Sequence, residues 1–340
     1  MADAGVLAQV RGAGALAALV ADPLVSDVLV NGPQDVWIDR GQGLERVECD
    51  VGDVRALAVR LAAAGGARLD DAAPVADARL PDGTRLHAVL PPVAADGAVV
   101  SLRTLRRRAL TLAELVTAGS VHPTVADLLR ALVGRRANVL VTGGTGTGKT
   151  TLLASVLSLV PASERVVCIE EAVELVPDHP HVVHLVARRP NVEGAGEIGP
   201  AALVRHALRM RPDRIVLGEA RGAEVREVLT ALNTGHEGGW ATVHANAVAD
   251  LPARLEALGA LAGLDRAAVA AQAASALDAV VHLRRDGALR WVAEIGAVVG
   301  APAGGAGVGW AVDPVLVVDA AGTPAAGPGW PAFAGRWLGR

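Results

Sequence analysis

Of the 32 lysines and arginines in this 340-residue chain, one is lysine, Lys149, and the rest are arginine. Tyrosine is absent and phenylalanine occurs once, so a protein that stacks single-stranded bases on aromatic side chains would find few platforms here. Net charge is −4, which excludes a global electrostatic attraction to nucleic acid. The two cysteines, Cys49 and Cys168, make no disulfide framework and point to a reducing compartment, the cytoplasm. Cys168, in the apolar run "RVVCIE", reads as core. No run of 18 or more apolar residues is free of charge, so no transmembrane helix is expected. The N-terminus resembles a signal peptide in outline only. Asp3 stands where a basic region belongs and Arg11 interrupts the apolar run, so it reads as a surface helix.

The length suffices for two domains with proper cores. Residues 1–108 read as an α+β domain: the short strand-like runs "VSDVLVNG", "QDVWIDR" and "GLERVE" are followed by an amphipathic helix over Val54–Ala64. Pro81-Asp82-Gly83 then separates two alternating runs, the pattern of a hairpin, and "AVVSLRTL" adds a further strand. Residues 109–122 read as a linker with a short helix. Over 123–296, strands alternate with helices of 10–15 residues, the signature of a mostly parallel sheet covered by helices. The expected strands are Asn138–Thr142, Arg165–Glu170, His181–Val186, Arg214–Glu219, Ala241–Ala245 and Ala279–Leu283. Residues 297–340 are rich in Gly, Ala and Pro and read as a tail with little packed structure, in which "WAVDPVLVVD" has strand character.

The run Gly143, Gly144, Thr145, Gly146, Thr147, Gly148, Lys149, Thr150, Thr151 contains the full G-x-x-x-x-G-K-[ST] pattern, after an apolar strand and before a helix. Glycines let backbone N–H groups turn inward, and together with the helix N-terminus they cradle phosphates. Lys149 reaches the terminal phosphates and the Thr150 hydroxyl is a Mg²⁺ ligand. Given the single lysine, chance would fill the remaining slots roughly once in a thousand.

Downstream acids supply the rest of a hydrolytic site. Glu170 and Glu171 end a strand and Glu174 follows; carboxylates there orient or deprotonate a water. Glu219 follows the apolar strand Ile215–Leu217, where Mg²⁺, held directly or through water, and an attacking water are found. His236 and His244 flank a Gly-rich turn and strand. With no cysteine pair beside them, phosphate sensing fits better than zinc. Arg79, Arg85 and Arg103 lie on the N-terminal hairpin and final strand, and an arginine delivered to a neighbouring γ-phosphate raises turnover by ~10³–10⁵.

Taken in order, the phosphate loop at 143–151, "CIEEAVEL", "MRPDRIVLGEARG" and "TGHEGGWATVHAN" resemble the Walker A, Asp-box, Walker B and His-box elements of the secretion-superfamily ATPases. These are the ring motors of type II and type IV secretion, pilus assembly and conjugation. "VNGPQDVWIDRGQGL" and "DARLPDGTRLHAVLPPVAADGAVVSLR" are similar to the N-terminal domain of the CpaF/Tad-pilus branch, so the resemblance spans residues 20–296. It implies an α/β fold, a RecA-like P-loop NTPase core with a smaller α+β, PAS-like N-terminal domain. It further implies ATP and Mg²⁺ as cofactors, a homo-hexamer, inner-membrane platform proteins as partners, no direct nucleic acid, and a cytoplasmic position at the inner face of the cell membrane. By motif, Glu170 matches the proposed general base, Glu219 the Walker B acid, and His236 and His244 the His-box pair. Arg79, Arg85 and Arg103 fall where the family supplies nucleotide-contacting arginines. The chain departs from the pattern in having Glu171 where aspartate is usual, Trp240 in the His box, and no paired CxxC zinc module.

Two other readings compete, a DNA-translocating RecA-like ATPase and a non-hydrolysing nucleotide switch. The acidic balance and scarce aromatics disfavour the first; intact Lys149, Glu170 and Glu219 disfavour the second. Lysine is a compact point charge on a flexible stem, whereas arginine is a planar fork too wide for a tight glycine loop. Lys149→Ala and Lys149→Arg are therefore both expected to lose most turnover in a phosphate-release assay, and near-normal activity of the arginine variant would refute the argument.

Overall fold

A computed structural model describes residues 12–41, 43–104, 109–188, 195–300 and 309–339. The chain divides into two compact units after residue 107. Residues 1–11, the first part of the expected N-terminal surface helix, lie outside the described residues; a short helix, α1 (Ala17–Ala21), follows and buries Val20.

The first unit is one antiparallel sheet: β1 (Asp27–Gly32), β2 (Asp35–Asp39), β3 (Leu44–Val47), β4 (Val75–Arg79), β5 (Arg85–Val89) and β6 (Val99–Arg103), in the order β3-β2-β1-β6-β5-β4. Its alternation is that of a sheet with one covered face: Val28, Val30, Leu86, Leu102 and their neighbours point into a core shared with α2 (Val54–Ala64). Asp53 caps α2 by accepting a hydrogen bond from Ala56 N, and Leu57, Ala58 and Leu61 are its buried stripe. In the β4–β5 turn, Asp82 accepts from Thr84 N and Gly83 takes φ +91°, the left-handed conformation the Pro-Asp-Gly signal predicts.

Helices α3 (Leu112–Thr117) and α4 (Pro123–Gly134) open the second unit. The expected linker at 109–122 is thus part of its core. Leu112, Leu115 and Val121 are buried with α4, and Thr111 and Glu114 form a capping box. The short helix expected there is α3; an apolar period over six residues shows the helix but not that it packs.

Six parallel strands follow: β7 (Val139–Thr142), β8 (Val166–Glu170), β9 (Val182–Val186), β10 (Arg214–Ala220), β11 (Trp240–Val243) and β12 (Ala279–Asp286). β7, β8 and β11 are buried along their whole length, which is why they read as continuous apolar runs. Helices α3, α4 and α5 (Lys149–Leu157) cover one face. The other carries α6 (Pro200–Ala207), α7 (Glu224–Asn233), α8 (Leu251–Leu261) and α9 (Arg266–Ala276).

The expected unpacked tail continues the sheet. β13 (Leu289–Gly300), β14 (Trp310–Val318) and β15 (Pro324–Ala326) add antiparallel to β12, giving the order β15-β14-β13-β12-β7-β11-β10-β8-β9. α10 (Trp330–Leu338) then packs on α4, with Phe333 and Trp337 buried. A few large side chains, spaced at strand and helix periods, outweigh the surrounding glycine and proline. Among the described residues no helix is long and apolar enough to cross a membrane.

One buried polar side chain ties three elements together. Asn138, 6% exposed, donates through Nδ2 to Ala276 O (2.7 Å) and accepts at Oδ1 from Gly238 N (2.8 Å) and Gly239 N (3.1 Å). It fastens the start of β7 to the turn before β11 and to the end of α9. Removing it leaves three backbone groups unpaired in the interior. Asn138→Ala is expected to cost about 2–4 kcal/mol in urea unfolding.

Candidate nucleotide site

Parallel pairing brings the C-terminal ends of β7, β8, β10 and β11 to one edge of the sheet, where ligands of open α/β sheets bind. The glycine loop lies between β7 and α5. Gly143, Gly146 and Gly148 have φ of +145°, +71° and +97°, values that favour glycine. A Cβ at Gly143 would lie 2.6 Å from Leu283 O on β12, so only glycine fits there. Lys149 opens α5, is 8% exposed, and donates through Nζ to Gly143 O (2.9 Å) and Gly144 O (2.8 Å). Burial lowers its pKa, Glu219 pulls it back up, and Arg221 lowers it further. Thr147 donates to Gly144 O, while Thr150 and Thr151 are half-buried in the first helical turn.

Glu219, near the end of β10, faces Arg221, His244 and Lys149. Arg221 Nη2 donates to its Oε2 at 2.6 Å, and His244 Nε2 lies 2.7 Å from its Oε1 without hydrogen-bond alignment. Burial pushes the Glu219 carboxyl upward, but Arg221, His244 and Lys149 together hold it below the ordinary value. His244, just beyond β11, is lowered by burial and by Lys149 against the opposing pull of Glu219, which keeps it neutral at pH 7. Arg221 also reaches Glu171 Oε2 at 3.3 Å.

Glu170 has a different environment from the one expected of a general base. It is 4% exposed; Oε1 accepts from Glu174 N (2.8 Å) and Leu175 N (2.9 Å), and Oε2 meets His184 Nδ1 at 3.2 Å. Its carboxylate anchors its own turn, and the exposed acids of the segment are Glu171 and Glu174. His236 is also displaced from the expected cluster. It precedes β11 whereas His244 follows it, and a parallel strand sends its two ends to opposite edges of the sheet. In the first unit, register sets Arg79 opposite Arg85, Arg85 opposite Arg103 and Arg103 opposite Asp27, to which Arg103 Nε donates at 2.9 Å. Register thus gathers the three arginines at one end of that sheet, with Arg103 paired to Asp27.

Two partners of the site escaped the sequence reading. Arg221 lies two residues beyond Glu219, a same-side spacing at a strand end that would have revealed it. His282 on β12 carries no local signal: it is 2% exposed and meets Thr142 Oγ1 at 2.9 Å across 140 positions. Among the described residues no group of three His, Cys, Asp or Glu is placed to cage a metal. A hydroxyl at Thr150 and a carboxylate at Glu219 suit Mg²⁺, which takes few protein ligands and completes its shell with water and phosphate.

A glycine loop between a parallel strand and a helix, with an acid at a neighbouring strand end, defines a P-loop nucleotide-binding protein of RecA-like fold. A family described as Type II/IV secretion system protein matches residues 9–290. A putative conjugal transfer protein of Mycobacterium tuberculosis (strain H37Rv) is 53% identical over 306 residues, covering 85% of this chain and 87% of that protein. The conjugal transfer protein TrbB of Rhizobium radiobacter is 32% identical over 231 residues, covering 66% and 68%. The structure of the Legionella pneumophila ATPase DotB shares the fold, with a TM-score of 0.59 at 20% identity over 82% of this chain and 78% of that one. The chain belongs to the type II/IV secretion system protein family.

His282 carries a pH signature of its own. Burial, reinforced by Arg284, pushes its pKa down to about 4. The unfolded chain therefore takes up this proton first as pH falls, so the stabilising contribution is complete above about 6.5 and is lost towards pH 4. Urea unfolding of the wild type should lose up to about 3 kcal/mol across that window relative to His282→Gln, which has no such proton to bind. Parallel pH profiles of the two proteins would refute this.

Proposed function

We propose that the chain is a Mg²⁺-dependent, ATP-hydrolysing motor of a conjugal-transfer, type IV secretion or Tad-type pilus machine. It would act as a homo-hexameric ring, cytoplasmic and peripheral at the inner face of the cell membrane, against inner-membrane platform proteins of that machine. The observation that carries this reading is the convergence of Lys149, Glu219 and His244 at the C-terminal edge of the sheet beside the glycine loop. Relatives named as conjugal transfer proteins support the conjugal branch.

In this reading Gly143–Thr151 cradle the phosphates and Lys149 leaves its two carbonyl partners for the terminal phosphates. Thr150 and, through water, Glu219 hold Mg²⁺, which neutralises phosphate charge when bound. Neutral His244 accepts or donates one hydrogen bond next to Glu219, a geometry suited to registering the γ-phosphate. We assign the water-orienting carboxylate to exposed Glu174, whose backbone N–H Glu170 holds, and make Glu170 a positioning residue. The row Arg79, Arg85 and Arg103 supplies nucleotide contacts, and His236 takes no part in the chemistry of its own loop.

The test is phosphate release by the purified chain. Turnover is expected only with ATP and Mg²⁺ together, with specific activity rising steeply with protein concentration as rings assemble. Concentration-independent turnover by a particle of monomer mass in light scattering would remove the ring; salt-dependent stimulation by DNA would favour a translocase instead.

A further inference from the structure

Glu219 stands out of step with its own strand. On β10, Ile215 and Leu217 point into the apolar core shared with α6–α9. Strand side chains alternate with a period of two, so an unbroken strand would drive the Glu219 carboxylate into that core next. Ala220 takes that place instead, 3% exposed, and Glu219 remains partly exposed. The register shows how. Leu217 pairs with Ala241 and Ala220 with Val243, so three steps along β10 match two along β11. Gly218 and Glu219 together lie across from Thr242 alone, which makes a β-bulge. Bulges are rare between parallel strands and recur beside active sites, where they re-aim a side chain.

This bulge is held from both neighbouring strands. A bulge leaves its extra residue outside the ladder. Here the Thr242 hydroxyl on β11, in a residue 2% exposed, donates to Gly218 O at 2.6 Å. From β8 the Glu170 side chain closes on the same residue: a Cβ at Gly218 would lie 3.0 Å from Glu170 Cγ and 3.5 Å from Ile169 O. Glu219 is the next residue, and its orientation follows from that grip.

We infer that Thr242 is a positioning residue of the nucleotide site: its hydroxyl holds the bulge at Gly218 that turns Glu219 out of the apolar core and toward Lys149 and His244. The inference rests on the nucleotide reading above, in which Glu219 holds Mg²⁺ through water. Arg221 grips the Glu219 carboxylate from the exposed side, whereas Thr242 fixes the backbone from which that carboxylate springs. Valine matches threonine in outline but has no hydroxyl, so it leaves the Gly218 carbonyl without this partner in the interior. The bulge then shifts to find another, and Glu219 moves with it. A displacement of about 1 Å in a catalytic group can cost about 10²-fold in rate.

The experiment titrates ADP calorimetrically into the full chain, once in EDTA and once in saturating Mg²⁺. It compares the wild type with Thr242→Val, Thr242→Ser, Glu219→Gln and the double variant Thr242→Val/Glu219→Gln, each below its own thermal midpoint. In EDTA, wild type, Thr242→Val and Thr242→Ser are expected to bind ADP alike, which reports an intact phosphate loop. The gain in affinity that Mg²⁺ adds is expected to fall about tenfold in Thr242→Val, the effect of losing a group that orients a metal's carboxylate. Thr242→Ser, which keeps the hydroxyl, restores most of that gain. In the Glu219→Gln background the Thr242 change is expected to cost nothing further, because both act through one carboxylate. Gly218→Ala crowds the bulge from the Glu170 side, is expected to give the same loss, and decides the case if Thr242→Val does not fold. An undiminished Mg²⁺ gain in Thr242→Val, or a full additional loss in the Glu219→Gln background, would overturn the inference while leaving the nucleotide reading intact. A wild type whose ADP affinity gains nothing from Mg²⁺ would overturn the metal role of Glu219, and this inference with it.

Discussion

The pairing of β7 between β11 and β12, parallel on both sides, is the constraint on which the site depends. Parallel strands point their carboxyl ends the same way, so the loop after β7, Glu219 near the end of β10 and His244 after β11 arrive at one edge although 95 residues of numbering separate Lys149 from His244. Burial on both faces holds that pairing in place, and Asn138 locks its entry end. The same rule that gathers His244 removes His236, because the residue before a parallel strand belongs to the opposite edge.

Electrostatics then decides what the gathered residues are. Lys149, Arg221 and His244 crowd one carboxylate, Glu219, and together they outweigh the cost of burying it. A compact ammonium fits among the carbonyls of Gly143 and Gly144, where a planar guanidinium would not. Arginine serves wherever the fork is an advantage: at one end of the first unit's sheet and at Arg221. The composition that excludes lysine elsewhere thus marks the one position where a point charge is required.

Glu170 and His282 show how far local pattern reaches. "CIEEAVEL" places acids at a strand end but not which of them is turned inward. Glu170 is turned inward because the chain folds back so that Glu174 N, Leu175 N and His184 meet it. His282 was invisible for a related reason: its partner Thr142 lies 140 positions away, on the strand before the phosphate loop. The short helix within 109–122 and the strand at "WAVDPVLVVD" are legible in the sequence, but their packing into the second unit is not, because so few residues show no strong period until a neighbouring sheet gives them a surface to cover.

By itself the sequence determined what rests on local geometry and short-range periodicity. That comprises the glycine loop with its lysine, the six parallel strands to within three residues at either end, the Pro-Asp-Gly hairpin, and the family to which their order belongs. The tertiary structure alone decided which acid is buried, which histidine meets Glu219, and which way Glu219 is turned. Strand order and register set these, and the energies that choose them come from contacts between segments far apart in the chain.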